Sequence, residues 1–246
     1  MRIKLKDIID NKLIELVKKK SARNFFQAVR KQKKGNTVII AEIKLVSPSE
    51  GRLGIENEAI RFAQEYEKDG ADAISVVADN KYFGGSYKLL KRIKKSTNLP
   101  ILAKDFVIDP YQIFEAKFFG ADAILLIARL LSVQKLKEYV RICFELNIEP
   151  IVEIQTQEEL NKATVSGSRI IAVNARDLET FEVDVEKACK LITQVPKKFI
   201  KIGFSGVTGR HEVEKYKTTG ASAVLVGSAL MSVKDKKGFI KNLKSI

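Results

Sequence analysis

A repeated sequence motif constrains the fold of this chain more strongly than any other feature. Residues 70–77 read GADAISVV, residues 120–127 read GADAILLI, and residues 220–227 read GASAVLVG; a weaker copy, GSRIIAV, occupies residues 167–173. The copies follow one another at intervals of about 50 residues. The glycine suits the position just after a helix, and the apolar run that follows it predicts a buried strand. The chain therefore contains a repeating helix–strand unit.

Four further apolar runs lie between these copies, at Thr37–Lys44, Pro100–Lys104, Pro150–Ile154 and Phe199–Gly203. Near-continuous apolar runs are typical of parallel strands that are buried on both faces. Helical segments separate them, and one of these segments starts with a capping-box pattern, Thr156 followed by Glu159. Eight strands that alternate with helices predict a (β/α)8 TIM barrel. We expect one domain over residues 1–246, with the barrel in residues 36–246.

Residues 1–35 precede the first strand and form an extra segment. Its apolar residues follow helical spacing, which predicts an amphipathic helical extension that packs against one end of the barrel. Twelve of its residues are basic and three are acidic, so it carries +9 of the net charge of +14. We interpret most of this charge as a solvated helix surface that also attracts anions.

Composition excludes several classes of protein. Apolar residues make up 45% of the chain, which excludes a disordered protein. The two cysteines, Cys143 and Cys189, cannot form a disulfide framework. The N-terminus is charged from Arg2 onward, unlike a signal peptide, and the longest apolar run, Ala123–Ala128, is far shorter than a membrane span. We therefore expect a cytoplasmic protein without a membrane partner.

Charged side chains at the ends of the predicted strands point to chemistry. Glu42 and Lys44 end the first strand, Lys104 ends the third, and Glu153 lies in the fifth. Function in a barrel resides at the carboxyl ends of its strands. Four ionisable groups in one barrel mouth are costly unless they pair, so a structural ion-pair network is the alternative. We favour acid–base catalysis, in which a partly desolvated lysine donates a proton and a glutamate accepts one.

Two Gly/Ser pairs follow the last two predicted strands, Ser205-Gly206 and Gly227-Ser228. Barrels frequently bind phosphate in these two loops, because glycine lets the phosphate approach the backbone. Either pair alone is compatible with an ordinary turn. Both pairs together predict a phosphate site.

Other kinds of site have little support. The single histidine, His211, falls at a predicted helix start, where we expect a surface residue. One histidine and two scattered cysteines do not make a zinc site. No dinucleotide-binding or P-loop motif is present. We therefore expect neither a metal nor another cofactor.

Several segments, taken in order, resemble the indole-3-glycerol-phosphate synthase family over essentially the whole chain. They are Ile39–Lys44 with Ser47-Pro48-Ser49, Lys81–Ser86, Lys104-Asp105-Phe106, Glu153, Asn174–Leu178, Ser205-Gly206 and Gly227-Ser228. This family converts 1-(2-carboxyphenylamino)-1-deoxyribulose 5-phosphate into indole-3-glycerol phosphate in tryptophan synthesis, without a cofactor. The resemblance implies a barrel whose N-terminal extension covers the mouth, and we expect it to act as a monomer on this anionic sugar phosphate.

The resemblance also implies roles for individual residues. Lys104 matches the general acid that activates the substrate ketone for ring closure, and Glu153 matches the acid–base residue of the later dehydration. Glu42, Lys44 and Asn174 match further catalytic positions. The residues that match substrate-binding positions are Ser47, Phe83, Phe106, Arg176 and Leu178. Those that match the phosphate site are Lys44, Ser205, Gly206, Gly227 and Ser228.

The chain departs from the family pattern at one position that bears on catalysis. Where the family has Glu-Ser-Gly after the seventh strand, this chain has Phe204-Ser205-Gly206. Phenylalanine cannot balance the charge of Lys44 and Lys104, so we expect reduced activity.

Two alternative functions remain open. One is a class I aldolase in which Lys104 forms a Schiff base with a sugar phosphate. The other is a basic nucleic-acid-binding protein, supported only by the charge of residues 1–35; no groove-reading motif accompanies that charge, so we do not expect a nucleic-acid partner.

Overall fold

Eight parallel strands form a closed barrel. The computed structural model describes residues 23–30 and 37–245. Its strands are β1 (Val38–Ile43), β2 (Val46–Ser47), β3 (Gly51–Arg52), β4 (Ala73–Val77), β5 (Ile101–Lys104), β6 (Ala123–Ile127), β7 (Glu149–Ile154), β8 (Ile170–Asn174), β9 (Ile200–Phe204) and β10 (Ala223–Val226). The order around the barrel is β1-β10-β9-β8-β7-β6-β5-β4. The predicted (β/α)8 barrel is confirmed. Its strands begin at one end, here called the base, and finish at the other, called the mouth.

One short helix precedes β1, and the other helices follow strands on the outside of the barrel. They are α1 (Phe25–Arg30), α2 (Glu56–Lys68), α3 (Tyr87–Ser96), α4 (Tyr111–Phe119), α5 (Val133–Glu145), α6 (Gln157–Thr164), α7 (Val185–Gln194), α8 (Arg210–Thr218), α9 (Ser228–Ser232) and α10 (Lys236–Lys244), with a 3-10 turn at Ala128–Leu130. Thr156 caps α6 by accepting a bond from the Glu159 amide at 3.2 Å. The Glu159 carboxylate accepts a bond from the Gln155 amide at 2.6 Å, one residue before the predicted donor, Thr156. Within the described residues, no helix is long and apolar enough to cross a bilayer.

The two faces of the strands pack into separate apolar layers. Side chains such as Ile39, Ile74 and Val152 pack between the barrel and its helices. The side chains that alternate with this layer along the strands, such as Ile40, Leu102 and Ile151, fill the barrel interior. This alternation follows from the two-residue period of a strand, and burial on both faces explains why the strands are apolar throughout.

The aspartates of the sequence repeat bind neighbouring strands together at the base. The Asp72 amide donates to the Ile39 carbonyl at 2.9 Å, and the Asp72 carboxylate accepts from the Ile39 amide at 2.9 Å. Asp122 makes the same pair of bonds with Ile101, at 2.9 and 2.8 Å. In the third copy Ser222 keeps the amide bond, to the Lys201 carbonyl at 2.8 Å, but has no carboxylate for the return bond. The repeat therefore encodes a two-bond clasp that sets the register of adjacent strands.

The described part of the N-terminal extension lies at the base. Phe25 and Val29 of α1 are fully buried in the interior cluster, together with Val38 and Ala73 near the starts of their strands. The Arg23 guanidinium donates to the Leu99 carbonyl at 2.8 Å. The expectation that the extension covers the mouth is therefore wrong for residues 23–30. Residues 1–22, including most of the apolar stripe, and residues 31–36 lie outside the described part of the chain.

Candidate active site at the barrel mouth

Polar side chains replace apolar ones where the interior layers reach the mouth. Glu42 follows Ile40 on the interior face of β1, and Lys104 follows Leu102 on β5. Glu153 and Asn174 occupy the equivalent places on β7 and β8. Because every second residue of a strand shares a face, these four side chains form the top layer of the interior. The strand pattern thus brings together residues that are far apart in sequence.

A cavity of about 560 Å³ opens above this layer. It contains all five predicted catalytic residues, namely Glu42, Lys44, Lys104, Glu153 and Asn174, and all five predicted substrate-binding residues, namely Ser47, Phe83, Phe106, Arg176 and Leu178. Of the predicted phosphate-binding residues, Lys44 and Ser205 line it, whereas Gly206, Gly227 and Ser228 lie outside its lining. Leu125, Ile127, Phe204 and Leu225 give it an apolar floor.

Glu42 is a carboxylate shared by two lysines. Its Oε2 lies 3.7 Å from Lys104 Nζ, and its Oε1 lies 4.0 Å from Lys44 Nζ. The Ser75 hydroxyl donates to Oε2 at 3.4 Å. All these distances are long for charge-assisted hydrogen bonds, which are usually 2.7–2.9 Å. The ammonium of Lys104 is thus held near an acid, yet keeps N–H donors for a bound molecule.

Glu153 is buried with one oxygen unsatisfied. Its Oε1 accepts a bond from Asn174 Nδ2 at 3.0 Å, while its Oε2 is buried and has no hydrogen-bond partner among the described residues. Burial raises the pKa of the Glu153 carboxyl, and the nearby charge of Lys104 and the Asn174 bond offset only part of that rise. A carboxyl in this state can hold a proton at a pH where an exposed glutamate has lost it. The unsatisfied oxygen suits proton exchange with a substrate.

Asn174 connects Glu153 to two loops of the mouth. Its Oδ1 accepts bonds from the Ser205 hydroxyl at 2.7 Å and from the Arg176 amide at 3.0 Å. These two donors fix the orientation of the amide, so its Nδ2 must face Glu153. Ser205 has a φ of 66°, in the left-handed region. The Tyr216 hydroxyl on α8 donates to the Ser205 carbonyl at 3.0 Å, which helps to hold this conformation.

Two aromatic side chains form one wall of the cavity. The rings of Phe83 and Phe106 are 6.1 Å apart, tilted by 37°. Beside them, the Tyr87 hydroxyl donates to Asp105 Oδ2 at 3.0 Å, and the Phe106 amide donates to Asp105 Oδ1 at 2.9 Å. The bonds of Asp105 fix the start of the loop that carries Phe106. An apolar wall at this height can pack against a planar ring.

Cationic and hydroxyl groups lie where β1 and β10 reach the mouth. Lys44 Nζ donates to Ser228 Oγ at 3.2 Å. A Cβ on Gly227 would lie 2.8 Å from Glu42 Oε1, and Gly206 has a φ of 73° with no room for a side chain beside Val185. Any other residue at these two positions would push into the mouth or strain the loop. The local structure therefore requires glycine at 206, while a side chain at 227 would displace the Glu42 carboxylate.

Sequence reasoning missed Glu50, which reaches the same cationic group. Residues 45–53 form a β2–β3 hairpin after β1, where the sequence predicted only a connection to a helix. Glu50 Oε2 lies 3.6 Å from Lys44 Nζ and accepts a hydrogen bond from the Ser228 hydroxyl. The signal was a carboxylate only six positions after Lys44, directly beyond the Ser47-Pro48-Ser49 segment.

Metal ligands are not clustered in the described residues: no group of three or more His, Cys, Asp or Glu side chains there could hold an ion. His211 lies exposed in the first turn of α8, as the sequence predicted. The predicted catalytic residues at the mouth are lysines, carboxylates and an amide.

Comparison with known proteins decides the family. Residues 3–243 match the family model for indole-3-glycerol phosphate synthase. The chain belongs to the indole-3-glycerol phosphate synthase family. The family member of that name from Lachnoclostridium phytofermentans is 41% identical over 222 residues, which is 90% of this chain and 81% of the relative. The one from Aliarcobacter butzleri is 38% identical and covers 97% of this chain and 98% of its own.

Solved structures support the fold of this family member. The N-acetylmannosamine-6-phosphate 2-epimerase from Clostridium perfringens superposes with a TM-score of 0.64 at 19% identity, covering 85% of this chain and 92% of its own. At that identity the likeness concerns the barrel alone. Membership of the indole-3-glycerol phosphate synthase family rests on the sequence matches, and they agree with the resemblance inferred from the motifs.

Proposed function

We propose that this chain converts 1-(2-carboxyphenylamino)-1-deoxyribulose 5-phosphate into indole-3-glycerol phosphate in tryptophan biosynthesis. The observation that carries the proposal is the arrangement of one cavity. Lys104 and Glu153 line it as part of the polar top layer of the interior, Phe83 and Phe106 form an aromatic wall, and Lys44 lines it while binding Ser228 just outside the lining. The substrate has the matching groups, namely a ketone, an aromatic ring and a phosphate.

Lys104 serves as the general acid of ring closure. As the ring carbon that bears the carboxylate attacks the ketone carbon, Lys104 Nζ donates a proton to the ketone oxygen. Carbon dioxide then leaves, and its bonding electrons restore the aromatic ring. Glu42 Oε2, 3.7 Å from Lys104 Nζ, holds the ammonium group in place.

Glu153 serves the dehydration that follows. The new hydroxyl group leaves as water, and the adjacent methylene group loses a proton to form the indole double bond. Both events need proton transfer, and Glu153 offers a buried oxygen without a partner. Asn174 holds the other Glu153 oxygen, so the free one is directed away from it. The raised pKa of Glu153 suits a group that both gives and takes a proton.

The remaining residues bind and orient the substrate. Phe83, Phe106 and Leu178 contact the aromatic part. Arg176, whose guanidinium donates to the Phe181 carbonyl at 3.0 Å, orients the substrate from the loop after β8. Lys44 and Ser228, with the closely packed glycines Gly206 and Gly227 and with Ser205, receive the phosphate. We propose that the active form is a monomer.

The test is the appearance of indole-3-glycerol phosphate fluorescence after addition of the synthetic substrate. We expect turnover without an added metal or cofactor, and equal turnover after treatment with a chelator. A chain that binds the substrate but yields no indole product would refute the assignment. Trapping of a borohydride-stable adduct on Lys104 with a ketose phosphate would favour the aldolase instead.

A further inference from the structure

The carboxylate of Glu50 occupies the cationic side of the mouth. Glu50 lies at the turn of the β2–β3 hairpin, where its amide donates to the Ser47 carbonyl at 3.3 Å. Its Oε2 faces Lys44 Nζ at 3.6 Å and accepts from the Ser228 hydroxyl. The same hydroxyl oxygen accepts from Lys44 at 3.2 Å. Glu50, Lys44 and Ser228 therefore form a closed triangle.

Two members of this triangle are groups assigned to the substrate phosphate. Lys44 and Ser228 supply an ammonium and a hydroxyl, the donors that bind oxyanions. A carboxylate oxygen accepts hydrogen bonds from these two donors just as a phosphate oxygen does. Burial alone would raise the pKa of Glu50, but the Ser228 bond and the charge of Lys44 lower it below its usual value. Glu50 is consequently ionised at neutral pH and competes as an anion.

We propose that Glu50 is a built-in competitor for the phosphate subsite, so that a phosphate-bearing ligand must displace its carboxylate from Lys44 and Ser228. This inference rests on the proposed function, because it takes the phosphate to bind at those two residues. It makes Glu50 a determinant of phosphate affinity rather than a catalytic residue.

The hairpin allows such a displacement. The Glu50 side chain is 37% exposed, so it can turn into water without being buried elsewhere. The tip residue Ser49 is joined to the far side of the mouth by Arg176, at a long 3.4 Å. The base of the hairpin is anchored more firmly, since the Val46 amide donates to the Phe83 carbonyl at 3.0 Å and Leu53 to the Leu45 carbonyl at 2.9 Å. Displacement therefore requires movement of the tip or of one side chain only.

The test compares Glu50→Gln with Glu179→Gln in the full chain. Glutamine keeps the shape of Glu50 and removes its charge. Glu179 is a matched control, because it lies in another loop near the mouth, is 81% exposed and pairs with Arg129 instead. We expect Glu50→Gln to bind inorganic phosphate about three- to tenfold more tightly in calorimetric titration, as loss of a partly exposed competing ion pair predicts. Glu179→Gln should match the unaltered chain.

Turnover assays separate this inference from the proposed function. The KM of the phosphorylated substrate should fall in Glu50→Gln by a similar factor. The affinity of this variant for a substrate analogue that lacks the phosphate should equal that of the unaltered chain. Equal or weaker phosphate binding in Glu50→Gln, or an equal gain in Glu179→Gln, would overturn the inference. Loss of turnover in the unaltered chain would count against the proposed function only, because the phosphate titration does not depend on catalysis.

Discussion

The two ends of the barrel use charged residues in opposite ways. At the base, the Asp122 carboxylate accepts bonds from the Ile101 amide at 2.8 Å and the Arg23 amide at 2.7 Å, and it also pairs with Lys94. At the mouth, Glu153 has one hydrogen bond and an oxygen with none, while Glu42 is 3.7–4.0 Å from its lysines. Both ends place carboxylates in partly or fully buried positions, but Asp122 at the base has partners on both oxygens and Glu153 at the mouth has none on Oε2 among the described residues.

This difference separates residues that stabilise the fold from residues that act on a substrate. A buried carboxylate with every lone pair engaged fixes the structure around it, whereas an incompletely paired one raises the free energy of the folded state. The unsatisfied groups at the mouth are the ones that a substrate would complete. Changes at the base should therefore alter the free energy of unfolding, and changes at the mouth should alter turnover.

The largest effect should come from Lys104→Met. Loss of the general acid is expected to lower turnover by about 10²–10⁴-fold, the usual contribution of such a group. The fold should survive, because the substitution removes a charge from the interior layer. The matched control is Lys94→Met at the base, which should lower the thermal midpoint and leave turnover per folded molecule unchanged. Near-normal turnover in Lys104→Met would refute the assignment.

Glu153→Gln should slow turnover by about 10²-fold or more, since it removes the acid–base group of the dehydration and keeps its shape. We expect an intermediate to accumulate in single-turnover experiments followed by absorbance or rapid quench. A slower reaction without any accumulation would indicate that another group carries the proton.

The stability of the same variant tests whether the pKa of Glu153 is raised in the folded chain. Because the folded-state pKa of Glu153 is raised, the unaltered chain loses stability as pH rises through that pKa. Glutamine does not ionise, so Glu153→Gln should gain stability relative to the unaltered chain over this interval. Urea denaturation of both proteins at several pH values measures the difference, and a pH-independent difference would contradict the shift.

Asp122→Ala should lower the free energy of unfolding by about 3 kcal/mol, the usual cost of breaking a buried ion pair. It leaves Lys94 and two backbone amides at the base without their acceptor. Asp72→Ala is the control. We expect it to lower the free energy of unfolding by less, because its partner Lys244 is partly exposed. Urea denaturation compares the two, and the kcat of folded protein should stay the same in both. A loss of kcat in Asp122→Ala would contradict the claim that the base determines stability and the mouth determines turnover.

The smallest effect should come from Phe204→Glu. Phe204 lines the floor of the cavity that also contains Lys44 and Lys104, where Glu42 is shared between both lysines. A second carboxylate can pair with these lysines, so turnover should rise a few-fold. Phe204→Gln, with no charge, is the control. A lower turnover in Phe204→Glu would show that Phe204 acts by packing.

The sequence predicted the barrel because the repeat and the apolar runs record burial on both strand faces. It also placed Glu42, Lys104 and Glu153 together, since strand ends converge at the mouth. The competing carboxylate of Glu50 was missed because the two-residue strands of its hairpin leave no periodicity to detect. The location of α1 at the base was not predicted, because the expectation that the extension covers the mouth came from the family resemblance alone. The apolar stripe of residues 3–17 predicts packing against one end of the barrel, but it does not show which end.

The aspartate clasps also affect the order in which the chain assembles. Each joins partners close in sequence, Ile39 to Asp72 and Ile101 to Asp122, whereas closure of the barrel pairs Val38 with Ala223. Short loops close at a lower cost in chain entropy than long ones. The clasped pairs of strands should therefore form early, as an open sheet, and the seam between β1 and β10 should close last. Formation of the barrel mouth, to which both seam strands contribute, then becomes the final step of folding.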